Sequence, residues 1–211
     1  TINVDPATTV ADAGSVQNLC NTTTATLAAN SPAGTETGTW TTVSGSGVAT
    51  SVNDPVSGVT GLTIGGTTVL KWTITAGFSG CPLSEDNVTI NVDPTTTVAD
   101  AGSVQNLCNT TTTTLAANAA AVSETGTWTT VSGSGVATSA NDPASGVTGL
   151  TIGATTVLKW TITSGFGGCP LSEDNVTINV DPTTTVADAG SVQDLCNTTT
   201  TTLAANAAAV S

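Results

Sequence analysis

Apolar and polar residues alternate with a two-residue period in short runs along this chain. The clearest run is Thr67–Thr75, where Leu70, Trp72 and Ile74 fall on one side and Val69, Lys71, Thr73 and Thr75 on the other. That is the signature of a strand with one buried face. Ser84–Pro94 (SEDNVTINVDP) repeats it: Val88, Ile90 and Val92 alternate with Asn87, Thr89 and Asn91, and Asp93-Pro94 ends the run. Proline has no amide hydrogen to give to a ladder, so the strand stops there. Gly38–Ser44 (GTWTTVS) puts Trp40 on one face and Val43 on the other. Thr8–Ala11, Val16–Cys20, Thr22–Ala29, Val48–Val52 and Val59–Ile64 read as further strands, each bounded by Gly, Asp or Asn-Asp-Pro turn signals. No run of useful length carries a helical period.

The pattern returns on itself. Shifted by 88 residues, Pro6–Asp93 lies on Pro94–Asp181 almost unchanged, and the differences gather at Ser31–Thr35 against Ala119–Ser123, as expected of an exposed loop. A period of this size is that of a β-sandwich domain rather than of a solenoid repeat. The expected organisation is a closing strand of a preceding repeat at 1–5, repeats at 6–93 and 94–181, and the truncated start of a third at 182–211. The stretch TINVDP at Thr1–Pro6 copies the end of each repeat, so we expect a window from a longer periodic chain, with an export signal upstream. The expected fold is all-β, built from tandem immunoglobulin-like sandwiches of about seven strands.

Composition narrows the function. The formal net charge is -13, Lys71 and Lys159 are the only cations, and there is no His, Arg, Tyr or Met. Such a surface repels nucleic acid and anionic membranes, and no apolar run approaches a membrane span. Catalysis is hard to build without His, Arg or Tyr. The adjacent Glu85 and Asp86 are on a strand, where neighbours face opposite ways, so they do not flank one bond as a general acid and base.

Five cysteines stand at 20, 81, 108, 169 and 196. Cys20 to Cys81 and Cys108 to Cys169 are equally spaced, and there is no His or Cys-x-x-Cys motif, so disulfides rather than metal ligation are expected. The expected bonds are Cys20–Cys81 and Cys108–Cys169, with the partner of Cys196 outside the chain. Each core is thin, with two Trp and one Phe per repeat, and closing a loop of about 60 residues contributes on the order of 4 kcal/mol in the chain-entropy treatment.

Glu85, Asp86, Asp93 and Asp100 come from the end of one repeat and the start of the next. Calcium, which takes six to eight oxygens, is the one cofactor they suggest; a plain acidic surface is the preferred reading. Asn21, Asn87, Asn109, Asn175 and Asn197 sit in Asn-x-Ser/Thr sequons, and Thr22–Thr24 and Thr110–Thr114 offer hydroxyls, so glycan decoration is a secondary expectation. A sugar-stacking role for the tryptophans is weighed against burial, and Trp72, flanked by Leu70 and Ile74, belongs in a core.

The succession VADAGSVQNLCNTTTATLAAN, GTWTTVSGSG, GLTIGGTTVLKWTIT and GCPLSEDNVTINV resembles the immunoglobulin-like (PKD-like) repeats of large secreted surface proteins of Bacteroidota. The resemblance covers the whole chain. It implies an extracellular, cell-surface, multi-repeat adhesin or fibre without catalysis in the repeats. Near identity between copies departs from many such proteins and favours a homogeneous filament or stalk. The partners expected are then copies of itself or further repeats of the same chain. The contrasting expectation is a modular adhesin whose repeats bind glycans or a host or neighbour-cell protein.

Overall fold

Among the described residues seven strands form in each repeat, and the turns between them fall at the glycines and Asn-Asp-Pro segments of the sequence. The computed structural model describes residues 7–77 and 81–208. The strands are β1 (Gln17–Cys20), β2 (Ala25–Thr26), β3 (Thr37–Ser44), β4 (Val48–Ala49), β5 (Gly58–Thr60), β6 (Thr67–Thr75) and β7 (Ser84–Asp93), followed by β8 (Gln105–Cys108), β9 (Thr113–Thr114), β10 (Thr125–Ser132), β11 (Val136–Ala137), β12 (Gly146–Thr148), β13 (Ala154–Thr163) and β14 (Ser172–Asp181). No helix occurs among the described residues. The first set makes a four-stranded sheet in the order β1-β7-β6-β3 and a three-stranded sheet in the order β2-β5-β4. The second set makes the same two sheets from the corresponding strands.

The chain divides into two compact units. The first takes Thr1–Ala99 with Ala119–Gly126 and Thr161–Glu173, and the second takes Asp100–Asn118, Thr127–Trp160 and Asp174–Ser211. In the first, Leu70, Trp72 and Ile74 of β6 are fully buried with Trp40, Val88, Ile90, Val92, Leu27 and Val59, so the alternation in Thr67–Thr75 and Ser84–Asp93 is the core. Val43, on the other face of β3, is exposed. Trp40 and Trp72 are cross-strand partners with ring centroids 4.9 Å apart, close enough for a favourable tilted aromatic pair. Gly38 belongs to this packing: a Cβ there would overlap the Trp72 ring. In the second unit Trp128 and Trp160 pair in the same way, with centroids 5.0 Å apart, and the Trp160 indole donates to Asn118 O as Trp72 does to Asn30 O.

Several expected strands differ. Thr22–Ala29 shortens to β2, Val48–Val52 to β4, and Val59–Ile64 to β5. Thr8–Ala11 forms no strand ladder because its amides bond side chains instead of a neighbouring backbone. Thr9 N donates to Glu36 Oε1, Ala11 N to Ser84 Oγ and Ala13 N to Asp86 Oδ2, each at 2.8 Å. From the other side, Asp12 N donates to Asn30 Oδ1 and Asn30 N to Asp12 O. The second repeat reproduces the set: Thr97 N to Glu124, Ala99 N to Ser172, Ala101 N to Asp174 and Asp100 N to Asn118.

Residues 182–208 contain no strand and are exposed, although the local clasp re-forms there as Asp188 N to Asn206 Oδ1 and Asn206 N to Asp188 O. The expected closing strand at 1–5 lies outside the described residues.

Candidate functional site

The first unit gathers its unusual chemistry at the end of β7. The strand β1 runs parallel to β7, and its last residue, Cys20, is the partner of Asp93, the last residue of β7. Asn21 then turns the chain away with φ 46°, a left-handed conformation that asparagine tolerates better than most residues. Its amide donates to Asp93 O at 2.8 Å.

This register overturns the expected cysteine pairs. Cys81 precedes the first residue of β7, whereas Cys20 lies beside the last. Ten residues at about 3.3 Å each separate them by roughly 30 Å, and a disulfide needs Cα atoms within about 7 Å. Cys20 is bonded instead to Cys169, with Cα atoms 4.6 Å apart. Cys108–Cys169 is excluded with it, because Cys169 is taken. Cys108 and Cys196 are exposed, and Cys81 is half-buried and outside the disulfide.

The same end of β7 binds the loop that carries Cys169. Asp93 is 1% exposed, and its carboxylate accepts hydrogen bonds from Phe166 N (3.1 and 3.2 Å to its two oxygens) and Gly168 N (2.8 Å). Two amides converging on one carboxylate is an anion-holding arrangement, and charge-assisted bonds of this kind are about twice as strong as neutral ones. Inside the loop, Cys169 N donates to Ser164 Oγ and Gly167 N to Ser164 O. Gly168 packs directly on the backbone of Leu19, where a Cβ would collide with it. Cys169 Sγ lies 3.1 Å from Pro94 O; a disulfide sulfur has no proton to donate, so this is a close polar contact. Asp93, Pro94, Cys20 and the Ser164–Cys169 loop form one joint, in which Asp93, Ser164 and Cys169 are buried.

The four carboxylates weighed as a calcium alternative are not brought together. Glu85 leaves β7 toward Lys71 Nζ at 2.7 Å and Thr73, and Asp86 leaves on the other face toward Ala13 N. Asp93 stands at the far end of the same strand, and Asp100 caps its own turn by accepting from Gly102 N. Among the described residues no group of three or more His, Cys, Asp or Glu side chains is placed to hold a metal. Hydrogen bonding from Lys71 holds the Glu85 carboxyl below its ordinary value. Glu36 is also held down, by the Thr9 side chain first and then by the amides of Ala33 and Thr9. At Glu124, burial pushes upward and is outweighed by hydrogen bonds from Thr97 and Ala121. The five sequon asparagines are all exposed. Sequence reasoning missed Asp93 as a loop anchor; its place before a proline at the end of a strand was the available signal.

No protein family and no curated protein matches this sequence. Solved structures match its fold. Immunoglobulin domains 1–5 of Sidekick-1 align over 88% of this chain and 41% of theirs, with TM-score 0.54 and 10% identity. Murine CEACAM1b aligns over 77% of this chain and 95% of its own, with TM-score 0.53 and 11% identity. Extracellular domains 3–5 of Drosophila OTK align over 79% of this chain and 59% of theirs, with TM-score 0.48 and 11% identity. This chain thus spans less than two thirds of the Sidekick-1 and OTK chains it matches. The fold is all-β and immunoglobulin-like.

Proposed function

We propose that the chain is a structural, extracellular repeat protein whose β-sandwiches, residues 6–93 and 94–181, join head to tail into a filament or cell-surface stalk. The observation that carries this reading is the joint. A disulfide from Cys20 to Cys169 and the amides on Asp93 tie the end of the first repeat to a loop of the second, in addition to the peptide link at Asp93-Pro94. A covalent second link makes a connection that resists pulling and bending, which a spacer needs and a freely hinged binding module does not. The disulfide also supports an oxidising, extracellular setting. The adhesin reading takes second place because all four tryptophans, the natural sugar-stacking groups, are buried. Electron microscopy of the native secreted material tests the proposal. Long, uniform filaments or stalks are expected; isolated particles ending in a distinct binding domain would overturn it.

A further inference from the structure

Cys20 is the last residue of β1, and Cys169 stands shortly before β14. Their disulfide closes a sequence separation of 149 with Cα atoms 4.6 Å apart. Strands β2 to β13, all four tryptophans and the Asp93-Pro94 link lie inside the closed stretch. Of the strands formed by the described residues, only β1 and β14 lie outside it. A pull applied ahead of Cys20 and beyond Cys169 therefore meets two routes between them, one covalent bond and 149 residue steps of backbone. The short route becomes taut first and carries the tension. Unfolding of either core then adds no length between the two cysteines. The pairing expected from equal spacing has a different consequence: a Cys20–Cys81 bond leaves Asp93-Pro94 under tension and encloses only β2 to β6.

We infer that the Cys20–Cys169 disulfide is a length lock. It carries tension past both sandwich cores and past the Asp93-Pro94 link, and its reduction releases the sheltered stretch. An extended residue spans at most about 3.3–3.6 Å, so a separation of 149 shelters about 50 nm of chain. The lock deepens the head-to-tail reading and rests on it, because a chain under tension is where it acts. The Asp93 carboxylate and the Phe166 and Gly168 amides that it holds are all inside the sheltered stretch, so those hydrogen bonds are loaded only after the disulfide opens. Opening is exchange with a dithiol such as dithiothreitol. Cys20 is half-buried and Cys169 is 8% exposed, so the dithiol thiolate attacks the Cys20 sulfur and Cys169 leaves as a thiolate. The second sulfur of the dithiol then closes a ring with the first and releases the Cys20 thiolate. One protein disulfide becomes two thiols, and one dithiol becomes a cyclic disulfide.

Single-molecule stretching of the full chain, held by handles at Thr1 and Ser211, tests the lock. The force is set where Cys169→Ser reaches its full extension without reductant. At that force the unreduced parent should stop at roughly 20 nm of contour, and dithiothreitol should then add one step of about 50 nm. Cys108→Ser should keep both values. Three results would overturn the inference: an unreduced parent that extends as far as Cys169→Ser, a step of only roughly 20 nm as a Cys20–Cys81 bond gives, or a step lost in Cys108→Ser. Filaments under the electron microscope together with a missing step remove the lock and leave the stalk standing. The full step in material that forms no filaments supports the lock and removes the stalk.

Discussion

Replacing Asp93 with alanine isolates the polar half of the joint. The carboxylate is 1% exposed and accepts from two backbone amides. Hydrogen bonds to a charged group contribute about 1.5–3 kcal/mol each, and a buried donor left unpaired costs about 1–3 kcal/mol. Phe166 is 41% exposed, so water can replace the acceptor at one amide, and the two effects do not simply add. We expect a local loss of about 3 kcal/mol, which corresponds to a fall in amide protection of about a hundredfold at Phe166 and Gly168. Hydrogen exchange read by NMR gives the result residue by residue. Trp40 N, which donates to Val52 O, and Val92 N, which donates to Gly66 O, serve as references and should keep their protection relative to global stability. The Cys20–Cys169 bond persists in this variant, so the loop stays tethered while its amides open. Asp93→Asn, which keeps a neutral acceptor, should lose about half as much in free energy. If Phe166 and Gly168 are as protected in Asp93→Ala as in the parent, Asp93 does not hold the loop and the reasoning fails.

Two further outcomes follow from the core and the surface. Trp72→Ala removes a side chain with 0% exposure and leaves Asn30 O without its indole donor; urea unfolding should show a loss of about 3–5 kcal/mol, and a loss under about 1 kcal/mol would place Trp72 outside the core. Glu36, Glu85 and Glu124 all have folded values lowered from the ordinary 4.5. The folded state therefore binds fewer protons than the unfolded state, so the stability they contribute is present above about pH 4.5 and is lost as pH falls through their lower folded values. Glu36→Gln together with Glu124→Gln should flatten the acid limb of a thermal-stability profile, and an unchanged limb would show that these clasps do not act through charge.

The strands with one buried face were legible because their alternation is a direct consequence of the pleat. Leu70, Trp72, Ile74, Val88, Ile90 and Val92 all went where their spacing put them. The segment at Thr8–Ala11 was misread because its partners are side chains of Glu36, Ser84 and Asp86, far away in sequence, and alternation does not distinguish a backbone ladder from a side-chain one. The cysteine pairing was illegible for a different reason. In a chain with an 88-residue period, Cys20 stands at one fixed spacing from Cys81 and at another from Cys169, and the same spacings recur in every repeat. What separates the alternatives is that β1 lies parallel to β7 and ends beside Asp93, a long-range register that local pattern does not carry. The carboxylates looked like a cluster because they are close in sequence; a ten-residue strand carries Asp93 to the far end from Glu85 and Asp86.

The most direct test of the joint is a disulfide map of the purified, alkylated, unreduced protein by mass spectrometry. A peptide pair joining Cys20 to Cys169 is the expected result, with none joining Cys20 to Cys81. Recovery of Cys20–Cys81, or of alkylated Cys20 and Cys169, would contradict it and remove the covalent link on which the head-to-tail account stands.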